Sequence, residues 1–425
     1  MDLIIGGFAS IASVYIIFLI FAGVFLGIIF GAVPGISVTM GVALFLPITY
    51  GMEPIHGLAL LMGLYVGGIS GGLISAALLN IPGTASSIAT CLDGHPMVER
   101  GEAGKALGVG ILFSFLGGIF SAIVLMFIAP WLATFTIKFS FYEYFAVAFF
   151  SLTLISSLSG KNIWKGFLAC AAGIALSFVG IQSTSGATRF TFGFSQLTGG
   201  FSLLPALIGL FAVSQVLDAA LCANKKEEVV VQDYHMHGFG ITMKEFIGQI
   251  PNAFRSALIG TGIGILPGLG GGICNIISYT VAKNRSAYPE KFGTGIIDGL
   301  VASETSNNAS TGGAMVPLMT LGVPGDNTTA ILLAGFTLHG IVPGPLLFSS
   351  SSDLVYAVFA AIIVANVFML VVEFFGLNIF ARVLTIPKNI LLPMVMVFCL
   401  IGAYGNNNRI FDIWTMLFFG IIGFI

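Results

Sequence analysis

Between Asp2 and Glu53 the chain carries no Asp, Glu, Lys or Arg, and the same holds between Glu53 and Asp93 and between Lys105 and Lys138. Further uncharged stretches run from Lys165 to Arg189, Arg189 to Asp218, Arg255 to Lys283, Asp326 to Asp353 and Asp353 to Glu373. A helix needs about 20 apolar residues to cross the hydrocarbon core of a bilayer, so each stretch holds a span or most of one. Backbone amides and carbonyls have no partner in lipid, which leaves only helices and closed barrels. Barrel strands alternate polar and apolar residues over about 10 positions, and Ile111–Ala129 does not alternate. The predicted fold is therefore an all-α polytopic membrane protein with about 10–12 membrane segments.

Composition removes the other classes. Only 8% of residues are charged, against roughly 25% in a soluble chain. A soluble protein that is 57% hydrophobic would expose apolar surface everywhere. A net charge of −2 provides no basic field for phosphates, so no nucleic-acid partner is expected. Residues 3–33 form too long an apolar run for a signal peptide and lack a basic leader, so they read as a first span. Cys91, Cys170, Cys222, Cys274 and Cys399 stand alone and read as small apolar fillers.

The most polar stretch, 223–250, contains Lys225, Lys226, Glu227, Glu228, Asp233, His235, His237, Lys244 and Glu245. It divides the chain into a first transmembrane repeat half, 1–222, and a second, 251–425. Its lysines favour the cytoplasmic side. Each half opens with a related phrase: Gly31-Ala32-Val33-Pro34-Gly35-Ile36-Ser37 and Gly264-Ile265-Leu266-Pro267-Gly268-Leu269-Gly270. Each then continues with a Gly-Gly pair and a second Pro-Gly. These are Gly71-Gly72 before Asn80-Ile81-Pro82-Gly83-Thr84-Ala85-Ser86, and Gly312-Gly313 before Gly322-Val323-Pro324-Gly325-Asp326-Asn327-Thr328. The offsets are 267 − 34 = 233 and 324 − 82 = 242 residues. Two ordered landmarks so similarly spaced read as two diverged repeats.

Proline removes a donor and glycine permits φ > 0, so a helix stops at Pro-Gly. Irregular backbone at membrane depth is tolerated only where it is enclosed or lines a cavity. Paired interruptions in two halves mark a transporter binding site, with half-helix N-termini facing anions. The four Pro-Gly sites are thus expected to be broken or re-entrant helices, whereas Pro47, Pro130 and Pro205 read as kinks or packing features.

Two polar runs flank apolar helices in the second half, Ser303 to Gly313 and Asp326 to Thr329, and each is expected at a helix N-cap. So many hydroxyl, amide and carboxyl groups at membrane depth exceed what capping needs and point to a pathway. Substrate contacts are expected from Ser37, Asn80, Gly83, Thr84, Ser86 and Ser87 in the first half and from Asn307, Asn308, Ser310 and Thr311 in the second. Coupling-cation contacts are expected from Gly268, Gly325, Asp326, Asn327 and Thr328. Enzymatic motifs are weaker. Gly68-Ile69-Ser70-Gly71 has the form of an intramembrane serine protease, but such a match is common in a chain with 56 glycines. No H-E-x-x-H, P-loop or dinucleotide fingerprint occurs. His56, His95 and His339 read as loop or interfacial residues rather than proton relays. No catalytic residue, no cofactor, and no metal beyond Na⁺ is expected. A polytopic hydrolase and a passive anion channel remain the alternatives.

The stretches Gly31–Ser37, Gly71 to Ser87, Leu92-Asp93-Gly94-His95-Pro96, Asn307 to Asn327 and His339-Gly340-Ile341-Val342-Pro343-Gly344-Pro345 resemble, in order, the large membrane subunit of the bacterial tripartite tricarboxylate transporters. The resemblance spans essentially the whole chain. It implies a multi-pass permease of the bacterial inner membrane that works with a small membrane subunit and a periplasmic solute-binding protein. It further implies symport of carboxylates such as citrate, driven by a Na⁺ or H⁺ gradient. Members of that family run on for further apolar spans, so the chain, ending at Gly420-Ile421-Ile422-Gly423-Phe424-Ile425, is expected to be truncated.

Overall fold

The computed structural model describes residues 2–158, 163–182, 187–221, 238–384 and 388–424. Residues 223–237 of the expected linker, Cys222 and Lys161 lie outside the described residues. The described chain is helical apart from one antiparallel pair, Gly180–Ile181 with Thr188–Arg189, and short turns.

The helices are α1 (Asp2–Ile11), α2 (Val14–Ala32), α3 (Val38–Phe45), α4 (Pro54–Leu79), α5 (Ile88–Glu99) and α6 (Ala103–Thr136). There follow α7 (Phe141–Leu158), α8 (Ile163–Ser177), α9 (Leu203–Leu207) and, past a π-helical turn at Ile208–Val213, α10 (Ser214–Leu221). The rest comprises α11 (Met243–Gly264), α12 (Gly270–Arg285), α13 (Ile297–Leu321), α14 (Asn327–Leu338), α15 (Leu347–Ser350), α16 (Ser352–Val383), α17 (Lys388–Asn407) and α18 (Ile410–Phe424). Among the described residues, five helices are long and apolar enough to cross a membrane: α2, α4, α6, the Leu203–Leu221 stretch and α16. Shorter apolar helices, including α3, α14 and α18, supply partial spans.

All four Pro-Gly sites interrupt helices. They separate α2 from α3, α4 from α5, α11 from α12 and α13 from α14. The pieces match in length: α4 and α13 have 26 and 25 residues, α5 and α14 have 12 each, and α6 and α16 have 34 and 32. The packing crosses between the two series. α6 lies along α13, α16 lies along α4, α12 meets the Ala85–Ser87 turn, and α14 meets α3.

The polar run Ser303–Gly313 is not at a helix start. It lies in the middle of α13, which is buried from Gly299 to Thr320. A helix that polar survives at the centre because α6, α11 and α12 surround it, so its side chains meet protein rather than hydrocarbon. Asp326 does cap a helix, α14, as its residue type predicts.

Close helix approach rests on glycine. Gly23, Gly27 and Gly31 recur every fourth residue on α2, and Gly63, Gly67 and Gly71 do so on α4. Each faces backbone of the other helix: a Cβ on Gly63 would lie 2.5 Å from the Ile20 carbonyl oxygen, and one on Gly71 would lie 2.5 Å from that of Ile28. Residues four apart share one helix face, and small residues there let transmembrane backbones touch without a hydrophobic driving force. α11 and α13 repeat the device, with Gly264 against the Ser310 carbonyl at 2.7 Å and Gly313 against that of Thr261 at 2.5 Å.

Gly67→Leu is therefore expected to force α2 from α4 and destabilise the protein by about 1–3 kcal/mol or more, the range for overpacking. Gly6→Leu, with nothing within 4 Å of its Cβ position, is expected to be neutral. Thermal unfolding in detergent checks both, and equal melting temperatures would remove the packing role.

Candidate substrate and ion site

The structure brings the two halves together at the start of α12. A Cβ placed on Gly271 would lie 2.8 Å from Ser86 Cβ, 3.1 Å from Ser310 Oγ and 3.3 Å from Asn307 Oδ1. Ser86 comes from the turn before α5, and Asn307 and Ser310 come from α13. All three are buried. No side chain caps α12 at Leu269, so the cluster sits at a helix start whose first amides have no side-chain cap. Asn275, one turn on, donates from Nδ2 to the Ser86 carbonyl. Asn307 Nδ2 donates to the Ile69 carbonyl (3.3 Å), while its Oδ1 has no partner.

Thr84 links this interior to a cavity. Its Oγ1 lies 3.0 Å from Ser86 Oγ. It also lines a cavity of about 320 Å³ together with Ser37, Gly83, Ala85, Gln215 and Asp218. Ser37 caps α3, accepting from Met40 N (3.1 Å), and donates to Gln215 Oε1 (2.7 Å). Ser87 closes the capping box with Thr84, accepting from its N–H (3.2 Å) and donating to its carbonyl (2.9 Å). Hence Ser37, Gly83 and Thr84 border the cavity, and Ser86, Asn307 and Ser310 form the buried cluster.

Three expected contacts fall elsewhere. Asn80 is exposed and ends α4 in the left-handed conformation (φ 55°), the position that Gly322 (φ 71°) holds after α13. Asn and Gly are the residues that adopt this conformation most readily. Asn308 shares a stripe with Thr305 and Gly312, which pack on α6, and its Nδ2 donates to the Glu304 carbonyl (3.2 Å). Thr311 donates to the Asn308 carbonyl (2.7 Å).

The expected cation residues form the matching turn of the second half. Gly268 N donates to the Gly325 carbonyl (2.8 Å), joining the two Pro-Gly turns. Asp326 Oδ1 accepts from Thr329 N (2.7 Å) and Thr329 Oγ1 (2.8 Å), and Oδ2 accepts from Tyr65 (2.8 Å) on α4. Thr328 Oγ1 meets Thr39 Oγ1 of α3 at 2.9 Å, whereas Asn327 is exposed. Asp326 thus caps α14 and ties that turn to α4.

Sequence reasoning passed over Gly270–Gly272, Tyr65, Asn275, Gln215, Glu304 and Glu373. The three consecutive glycines after Pro267-Gly268 were a signal, as was Glu373, an acid inside the apolar stretch of α16. Among the described residues, no three His, Cys, Asp or Glu side chains gather as a metal site.

Long apolar helices, paired interruptions and an enclosed polar layer are the build of a multi-pass membrane transporter. Residues 17–425 match the family model described as the tripartite tricarboxylate transporter TctA family. The chain belongs to that family and is a membrane component of tripartite tricarboxylate transport. An Agrobacterium vitis protein described as "Uncharacterized 52.8 kDa protein in TAR-I ttuC' 3'region" is 34% identical over 405 residues, covering 95% of this chain and 80% of the relative. A second from that organism, described as "Uncharacterized protein in TAR-II ttuC' 3'region", is 34% identical over 166 residues, 39% of this chain and 69% of its own length. No solved structure matches the chain.

Gly83 carries a specific expectation. Its φ is not positive, unlike those of Gly35 (86°) and Gly268 (81°); glycine is needed there because a Cβ would strike the Gly31 carbonyl and the Ser75 hydroxyl. Gly83→Ala should therefore lower the yield of monodisperse protein sharply. Gly35→Asn should not, since Asn tolerates the left-handed region and the nearest atom to a Cβ there is 4.0 Å away. Chromatography of both variants checks the contrast.

Proposed function

We propose that the chain is the permease subunit of a binding-protein-dependent secondary importer of tricarboxylates or related carboxylates in the bacterial inner membrane. The observation that carries this reading is the convergence of Ser86, Asn307 and Ser310 on the uncapped N-terminus of α12. Hydroxyls and first-turn N–H groups are donors that suit a carboxylate, and they come from both halves of the chain. The cavity bordered by Thr84 gives a way towards them.

A small membrane subunit and a periplasmic solute-binding protein complete the importer, and a Na⁺ or H⁺ gradient drives it. A coupling cation is assigned to the turn of Gly268, Gly325, Asp326, Asn327 and Thr328, beside the same α12 N-terminus. Relative movement of the two crossed series exposes the cluster alternately to either side. The hydrolase alternative finds less support. Ser70 donates to Glu373 (2.8 Å), while the described histidines contact Glu53, the Ala77 carbonyl, Glu99 and Thr49.

The test is uptake of labelled citrate and other carboxylates into proteoliposomes holding this chain and the small membrane subunit, with and without the binding protein, under a Na⁺ or H⁺ gradient. Uptake that needs both binding protein and gradient is expected. Ser86→Ala and Ser310→Ala are each expected to weaken substrate affinity about 10–100-fold, the value of a hydrogen bond to a charged group. No uptake under either gradient of the carboxylate that the binding protein holds would overturn the reading. Asp326→Asn is expected to change the Na⁺ dependence, and an unaltered dependence would remove its coupling role.

A further inference from the structure

The interior holds two carboxyl groups that the carboxylate cluster does not use. Glu304 on α13 and Glu373 on α16 are completely buried. Glu304 accepts on Oε1 from Thr90 of α5 and on Oε2 from Ser114 of α6 (2.8 Å). Glu373 accepts on Oε2 from Ser70 of α4 (2.8 Å), and its Oε1 has no partner. α5, α6 and α13 therefore supply a polar pocket for Glu304, and α4 and α16 supply one for Glu373.

The charges around the two acids are one-sided. The charged group that acts on Glu373 is another acid, Glu304. Around Glu304 are Thr90 and the Cys91 thiol from α5, Ser114 from α6 and Asn307 of its own helix. Asp93, further along α5, is turned away, accepting from the amides of Gly293, Gly295 and Ile296. Neither glutamate has a Lys, Arg or His partner among the described residues. An ionised carboxylate buried without a countercharge is costly in a low-dielectric interior, so such a group takes up a proton instead. The orphaned Oε1 of Glu373 is where that proton has room.

Asn307 connects the Glu304 pocket to the carboxylate cluster. Its side chain lies beside Glu304 and, through the unpartnered, fully buried Oδ1, beside Gly271 at the start of α12. A change of charge on Glu304 is felt by a side chain that also lines the carboxylate cluster, which is what coupling between two sites requires.

We propose that Glu304 and Glu373 are proton-binding groups, with Glu304 joined through Asn307 to the carboxylate site. The coupling part rests on the importer reading above; the proton site itself does not.

The experiment is an infrared pH titration of the intact protein in nanodiscs, following the carbonyl band of protonated carboxyl groups in wild type, Glu373→Gln, Glu304→Gln and Ser70→Ala. In wild type a band that titrates is expected. Glu373→Gln should abolish it, and Glu304→Gln and Ser70→Ala should shift its midpoint. The milder Ser70→Ala keeps both acids, should the glutamine variants fail to fold. The same titrating band in every variant would overturn the proton site, as would its loss from wild type on adding Na⁺ at constant pH, which would mark a sodium site.

A second arm measures transport in proteoliposomes. Glu373→Gln is expected to lose proton-driven uptake while retaining counterflow of preloaded substrate; unchanged proton dependence would overturn the coupling. Absence of uptake by wild type beside a titrating band would sink the importer reading and not the proton site.

Discussion

A backbone amide in hydrocarbon has no water to turn to, and every departure from helix in this protein answers to that constraint. Four Pro-Gly turns leave amides and carbonyls free at depth. Gly268 N solves this by bonding the Gly325 carbonyl, and Thr84 and Asp326 do so by closing capping boxes with Ser87 and Thr329. α12 is the exception, since no side chain caps its start. The uncapped terminus is where side chains from both halves gather.

Enclosure makes these breaks tolerable, and glycine makes enclosure possible. The fourfold spacing on α2 and α4 brings backbone onto backbone, which places the turn at Gly83 directly against Gly31 and Gly72. The crossed packing of α6 on α13 and α16 on α4 then seals the two central helices. Polar residues that would be costly on an isolated span become affordable inside this sheath. That is why α13 carries Glu304, Asn307, Asn308 and Ser310 along a length of helix with no exposed residue between Gly299 and Thr320.

Much of this was legible beforehand. Uncharged stretches marked membrane helices, and Pro-Gly marked the interruptions, because both signals are local. The gathering of Ser86 with Asn307 and Ser310 was legible only as two polar lists, since their contact depends on α12 passing between them. Asn80 has a second role that its residue type alone did not single out: its left-handed backbone ends α4. Ser303–Gly313 misled, because Ser, Thr and Asn are cap formers in water-facing helices but are also tolerated in a helix surrounded by other helices. Glu373 was passed over although it is an isolated acid in an apolar stretch, and its partner Ser70 lies in the other half, a pairing of which one sequence carries no trace.

The Ser70–Glu373 hydrogen bond joins residues 303 positions apart. Ribosomes add roughly 5–20 residues per second, so α4 enters the membrane on the order of 15–60 s before α16 can cover it. Through that interval the Ser70 side of α4 must be shielded by something other than its final neighbour. Biogenesis of the chain therefore has a waiting period written into its topology, during which insertion machinery or an early α2–α4 hairpin protects the half-built core.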